Sequence, residues 1–483
     1  MKKIGILLSV LIGILSAFVV TGCGSTTANV SYEITMELTD DMKILGTEEV
    51  DFKNKTESVL TELKFNIHAN AYREGSKYLP EDPVLTSQAF PNGASYGKID
   101  IKSAKVNGYD AEFIICGEDK NVLSIKLEEE LYPDESVSLE IEYEIALANV
   151  ISRTGYNGKT INLGNCYPIL CAFDDGFYEC VYYSYGDPFF SECADYHVRV
   201  TMPQKYILAT SGEIIKTQTE GGKTTNIMQI SSARSFAMVA SEQFKVLTTD
   251  VNGVSVSYYY YEDANAEGSL EYATKSLKYF SETFGKYPFR TYSVVQTPFM
   301  QGGMEYTSLV MISDRIDQSS IGEVIVHETA HQWWQAVVGN NEIKYGFLDE
   351  SLAEYSVVMF YENHPEYSLS RQTLIKLAEQ TYKMYCSVYK KLFGNINTVM
   401  LRSLDEFSSS YEYVNIAYIK GCIMFDCLRQ TIGDDDFLTG LKKYYEDYKF
   451  KEATPDDLAG VFERIGADTN GFFKSFYEGK VIL

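Results

Sequence analysis

Residues 327–331 read His-Glu-Thr-Ala-His, and Glu350 follows the second histidine after eighteen intervening residues. This pattern constrains the fold more than any other in the chain, because it works on helices. Residues four apart lie on one helix face, so His327 and His331 can each aim an imidazole nitrogen at a single ion. Glu328 points about 100° round the helix from His327, off the metal but close enough to take a proton from a water beside it. The stretch from Ile321 to Val338 suits a helix. It lacks Pro, its only Gly is Gly322 at the start, and Ile325, Val326, Ala330 and Trp334 can face a core. Coincidence can generate such a five-residue pattern, but the chain holds only 5 His and two of them stand here.

Glu350 lies in a second amphipathic segment, Gly346 to Glu362, where Leu348, Leu352, Tyr355 and Val358 recur at near-helical spacing. A carboxylate from this helix completes a three-ligand site, His327, His331 and Glu350, with one position left for water. Two nitrogen ligands and one oxygen ligand suit zinc best, so one Zn2+ per chain is the expected cofactor. Glu354, four residues on, reads either as the acceptor that fixes a ligating imidazole N–H or as a solvated helix charge.

Upstream, Phe299 to Leu309 reads Phe-Met-Gln-Gly-Gly-Met-Glu-Tyr-Thr-Ser-Leu, with Glu305 placed 22 positions before His327. Near the C-terminus, Asn415 to Ile432 contains Tyr418-Ile-Lys-Gly. Together these segments resemble the zinc aminopeptidases related to aminopeptidase N, gluzincins with a thermolysin-like catalytic domain. Those enzymes carry Gly-x-Met-Glu-Asn before the His-Glu-x-x-His motif, a third ligand eighteen residues after it, and a Tyr two residues before Lys-Gly. Gly302, Gly303, Met304 and Glu305 match the first motif. The resemblance implies that this segment is an edge strand binding the substrate backbone, that Glu305 holds the free α-amino group, and that Tyr418 donates to the tetrahedral intermediate. Tyr411 and Tyr413 are the nearest rivals of Tyr418 in a chain with 38 Tyr. A further amine-binding residue is implied in the β domain, with Asp174 to Asp187 the region indicated. The chain departs from the pattern at Tyr306, where Asn is usual, and at Asp349 and Ser351, where Asn and Gly often flank the third ligand.

The chain begins Met-Lys-Lys, runs apolar from Ile4 to Val20, and reaches Val-Thr-Gly-Cys at Cys23. This predicts a secretory signal over 1–22 whose Val20 to Cys23 resembles the bacterial lipobox, leaving Cys23 as a lipidated N-terminus. An uncleaved or simply secreted form is the alternative. Residues 23–28 form a short tether of small residues. The expected location is extracytoplasmic, with the lipid as the only membrane contact. Lys plus Arg is 42 and Asp plus Glu 67, a formal charge of −25, which argues against nucleic-acid partners. Cys166, Cys171, Cys180 and Cys193 have gaps of four, eight and twelve residues, which lack the paired spacing of a structural zinc site. Cys171 and Cys180 could close a short disulfide loop.

The fold expected is multidomain: an all-β sandwich over 29–248, with turn signals at Asn107-Gly108 and Gly221-Gly222, then a mostly helical, thermolysin-like α+β zinc peptidase domain over 249–483. His68 and His197 read as strand positions rather than ligands. Helices are expected at Ala264–Phe284, Ser368–Phe393, Asp435–Tyr448 and Thr454–Ile465. The chain stops before any further helical domain, which implies a more open cleft. The function these readings imply is hydrolysis of N-terminal residues from peptides. A zinc endopeptidase, or a catalytically silent binding protein on a peptidase scaffold, is the alternative.

Overall fold

The computed structural model describes residues 28–77, 83–183, 185–467, 469 and 471–481. The signal sequence over 1–22, Cys23 and most of the tether lie outside the described residues. The first half is built on sheets. In Val30–Leu38 the alternate residues Val30, Tyr32, Ile34, Met36 and Leu38 are buried, as a strand with one face on a core requires. This strand is central in an eight-stranded sheet, paired in parallel with Ala194–Pro203 and antiparallel with Lys43–Lys53. Two four-stranded sheets complete the β domain, one containing Ala237–Ser241 and Ile161–Gly164, the other Leu60–Asn66 and Val122–Leu131. Both glycine-containing turns form with positive φ, at Asn107 and Gly108 and at Gly221 and Gly222. His197 sits in a strand, but His68 starts a short 3-10 turn, His68–Tyr72, where its ring packs edge-on against Phe189. Among the described residues every cysteine is free, Cys171 and Cys180 included.

The second half opens on a five-stranded sheet, ordered Lys245–Val251, Val254–Tyr260, Thr291–Thr297, Leu309–Ser313 and Gly303–Tyr306. Its first strand spans the 248/249 junction drawn from sequence, and it pairs within this sheet. Leu309, Val310, Met311 and Ile312 are all buried, because this strand is covered on both faces. Gly303–Tyr306 is the antiparallel edge strand. Helices follow: Ala266–Thr283 between strands, then Ile321–Ala330, Phe347–Asn363, Arg371–Phe393, Gly421–Ile432, Asp434–Tyr448 and Pro455–Arg464. Ser370 and Thr454 cap the helices that they precede. Phe347–Asn363 is buried nearly all round, because it runs between the Ile321–Ala330 and Gly421–Ile432 helices. A β domain followed by a mostly helical α+β domain is the order that the alternation and helical spacing of residues predicted.

The two halves are locked by polar contacts. Arg234 of the β domain is buried, donates to the Gln335 carbonyl at 2.8 Å and pairs with Glu452. Tyr185 donates to the Leu404 and Phe407 carbonyls at 3.2 and 3.0 Å. These contacts bring the β domain against one wall of the cleft.

Candidate active site

The helix that carries the histidines ends at Ala330, with His331 as its cap residue, rather than continuing to Val338. Beyond it the backbone turns, with Gln335 at φ 145° and the Ala336 N–H donating to the His331 carbonyl at 3.0 Å. The turn buries Trp333 and Trp334 and places the Trp334 carbonyl 3.0 Å from His331 Nδ1. That carbonyl can only accept, so Nδ1 carries the proton and Nε2 is left bare for a ligand role. His327 Nδ1 lies 3.1 Å from Glu354 Oε2, which leaves its Nε2 facing the same point. Glu354 therefore touches the histidine.

The three donor atoms form a small triangle. His327 Nε2 and His331 Nε2 are 3.1 Å apart, and each is 3.2 Å from Glu350 Oε2. Tetrahedral ligands about 2.0–2.1 Å from a zinc ion would be spaced by about 3.3 Å, so the donor set fits that ion. His331 is 1 % exposed and Glu350 2 %. Against the upward pull of burial, the two imidazoles hold the Glu350 carboxyl down to about 2. A second grouping, Glu305, His331 and Asp349, also converges, but it shares the single free nitrogen of His331.

Glu328 and Glu305 line the same cleft. Glu328 is 5 % and Glu305 3 % exposed, and Glu328 Oε2 and Glu305 Oε1 have no partner among the described residues. Burial pushes Glu328 up to about 7, against the pull of His327 and His331. Burial, then the Asp187 charge, pushes Glu305 well above the usual carboxylate range. A Cβ on Gly303 would come 2.2 Å from Glu328 Oε1, so any side chain there would push the Glu328 carboxylate aside. Gly302 also lines the cleft. Met304, grouped from sequence with the substrate-binding residues, turns its side chain the other way: side chains alternate along a strand, and its Sδ lies 3.1 Å from the Arg153 Nε.

Tyr418 is brought to the donors by a π-helical segment, Val414–Lys420, that leads into Gly421–Ile432. The helical run from Ser410 is thus interrupted by a π turn where its tyrosine reaches the cleft, a common place for such a bulge. Its hydroxyl donates to Glu350 Oε1 and its ring stacks at 5.7 Å on His327. Tyr413 instead donates to the Gly346 carbonyl at 3.1 Å, and Tyr411 is half exposed beside Tyr389. Asp187, at the end of the region indicated from sequence, lines the cleft and accepts from Arg153 Nη2 at 2.7 Å. Arg153 was not foreseen. It has no motif around it, and only the fold brings its guanidinium to Met304 of the edge strand and to Asp187.

The helical half thus brings a His-His-Glu donor set and an adjacent carboxylate to one cleft, an arrangement suited to a zinc ion. Comparison with known proteins agrees: residues 268–476 match the peptidase family M1 domain. Aminopeptidase N of Lactococcus lactis subsp. lactis is 26% identical over 237 residues, covering 44% of this chain and 27% of that protein. Tricorn protease-interacting factor F2 of Thermoplasma acidophilum is 23% identical over 284 residues, 56% of this chain and 34% of that protein. The chain thus spans about a third or less of the length of these curated relatives. The fold matches the M1 zinc metallopeptidase of Deinococcus radiodurans with a TM-score of 0.66 at 17% identity, over 95% of this chain and 94% of that one. A mutant of that enzyme bound to a Tyr-Ser-Ala substrate matches with a TM-score of 0.64 at 17% identity, over 94% and 96%.

Proposed function

We propose that the chain is a zinc-dependent aminopeptidase that removes N-terminal residues from peptides outside the cytoplasmic membrane. The observation that carries this reading is Glu305: a buried carboxylate, with an oxygen lacking any partner among the described residues, set on the edge strand in the cleft that Glu328 also lines. Such a group is costly to bury alone, and a substrate ammonium would satisfy it. Asp187, held by Arg153, stands beside it as the β-domain contribution to amine binding.

Zinc held by His327, His331 and Glu350 supplies Lewis-acid polarisation and a water of lowered pKa. The residues of the chain do the rest. Glu305 fixes the amine and thereby sets the first peptide carbonyl near the donors. Gly302 and Gly303 let the substrate backbone lie along the strand. Glu328 takes the proton of the attacking water and returns it to the leaving amine. Tyr418, at hydrogen-bond reach of Glu350, supplies a hydroxyl donor to the developing oxyanion. Glu354 and the Trp334 carbonyl keep the two imidazoles oriented.

Hydrolysis of a panel of amino-acid aminocoumarin amides tests this reading, with chelator, with zinc restored, and with N-acetylated versions. Turnover that is lost to chelator, regained with zinc and abolished by acetylation is expected. Equal cleavage of acetylated and free-amine peptides would favour an endopeptidase. No turnover with zinc bound would leave the silent scaffold. Anchoring through lipid on Cys23 belongs to the same proposal and rests on the sequence Val-Thr-Gly-Cys after an apolar run. Labelling with a palmitate analogue should mark the wild type and not Cys23→Ala; label surviving in that variant counts against it.

A further inference from the structure

The cleft, about 360 Å³, extends past the residues that aminopeptidase chemistry requires. The edge strand gives it a direction. Glu305 marks the amine end, Gly303 passes the base, and Gly302 lies beside Val324, whose methyls would sit 3.9 Å from a Cβ there. A peptide with its amine on Glu305 and its first carbonyl at the donors therefore carries its second residue past Gly302 towards Ser320, Glu323 and Val324.

Glu323 stands one helical turn before His327 on the same face. It is exposed, lines the cleft, and has no hydrogen bond or ion pair among the described residues. Its acidic neighbour is Glu354, which is occupied with His327. Partial withdrawal from solvent and then the Glu354 charge hold the Glu323 carboxyl above its usual range. Arg153 is the one Lys or Arg lining the cleft, and it is spent on Asp187, Gly186 and Tyr182 at the amine end. The unpartnered buried oxygens of Glu305 and Glu328 show that this same cleft is built to receive a polar ligand.

We propose that Glu323 is the wall of a subsite for the second residue of the substrate and selects a cationic side chain, Lys or Arg, at that position. This rests on the aminopeptidase reading, because it takes the polarity of the peptide from it. An ion pair in a half-open cleft, with the repulsion of an acidic side chain set against it, is worth about tenfold in discrimination.

The test compares kcat/KM for release of Leu from Leu-Lys-Gly-Gly, Leu-Gln-Gly-Gly and Leu-Glu-Gly-Gly by the zinc-loaded full-length chain in mild detergent. The wild type should prefer Lys over Glu by about tenfold. In Glu323→Gln the ratio should fall towards one, and in Glu323→Lys it should reverse. Because each variant is read as a ratio, partial misfolding cannot mimic the effect. Equal rates for Lys and Glu in the wild type, or a preference that persists in Glu323→Gln, would overturn the subsite. If none of the three peptides is cleaved, the aminopeptidase reading fails on its own. Calorimetric titration of the same peptides then decides the subsite: a Lys-over-Glu affinity ratio that depends on Glu323 supports it, and equal affinities overturn it.

Discussion

A methyl group on Gly303 would fall 2.2 Å from Glu328 Oε1, so the edge strand and the His helix meet with no spare room between them. Glu328 lines the same cleft as the donor atoms. Replacing Glu328 by Gln keeps the shape and removes the carboxylate that the proposed mechanism uses as base. The expected result is a loss of turnover of at least about 100-fold with zinc content unchanged by metal analysis, and near-wild-type hydrolysis would refute the assigned role. At this scale the sequence was most legible for His327 and His331, because i, i+4 spacing and chemistry coincide on one helix, with Glu328 between them and Glu350 on the helix that follows. Glu305 and Tyr418 could be singled out only by resemblance, since neither Gly-Gly-Met-Glu nor one of 38 tyrosines is informative alone. Asp187 and Arg153 reach the cleft from a different domain, more than 110 positions before Glu305, and no local pattern announces that.

Elements show where periodicity and packing part company. The helix that carries Glu350 looked amphipathic from Leu348, Leu352, Tyr355 and Val358, yet Glu350, Ala353 and Val357 on its far side are buried too, and so is Ser351 among the apolar positions. A neighbouring helix covers Ser351: a Cβ on Gly421 would lie 1.8 Å from Ser351 Oγ. Gly421→Ala should therefore lower the unfolding free energy by about 1–3 kcal/mol in a denaturant titration, whereas an exposed helical Gly→Ala would raise it. The strand Lys43–Lys53 carries the opposite misfit. Glu48 points inward among Tyr32, Tyr143, Tyr196 and Cys166, and both of its carboxyl oxygens lack partners among the described residues. Burial raises its folded pKa well above 4.5, so the folded state holds the proton that the unfolded state releases. Its contribution is therefore fully present below pH 4.5 and declines as pH rises through the folded value. Melting temperatures should fall from pH 5 to pH 8 more steeply for the wild type than for Glu48→Gln. Parallel slopes would show that Glu48 is not titrating in this way.

At the scale of the molecule, the donor set ties the His helix, the Glu helix and, through Tyr418, the π-helical segment into one unit. An ion that binds this arrangement and not the unfolded chain stabilises it by about 2.7 kcal/mol at one hundred times its dissociation constant. Chelator should lower the melting temperature of the wild type and leave that of His331→Ala unmoved, since that variant lacks a ligand. Alternation and helical spacing are short-range, so the residues alone carried the order of a β-rich half and a helical half and pointed to His327, Glu328 and His331 on one helix and Glu350 on the next. Only the tertiary structure decided where the His helix stops, which way Met304 faces, how a π turn delivers Tyr418, and that Arg153, Asp187 and Glu323 share one cleft. These follow from packing between elements far apart in the chain, and nothing in the local spacing of residues carries that information.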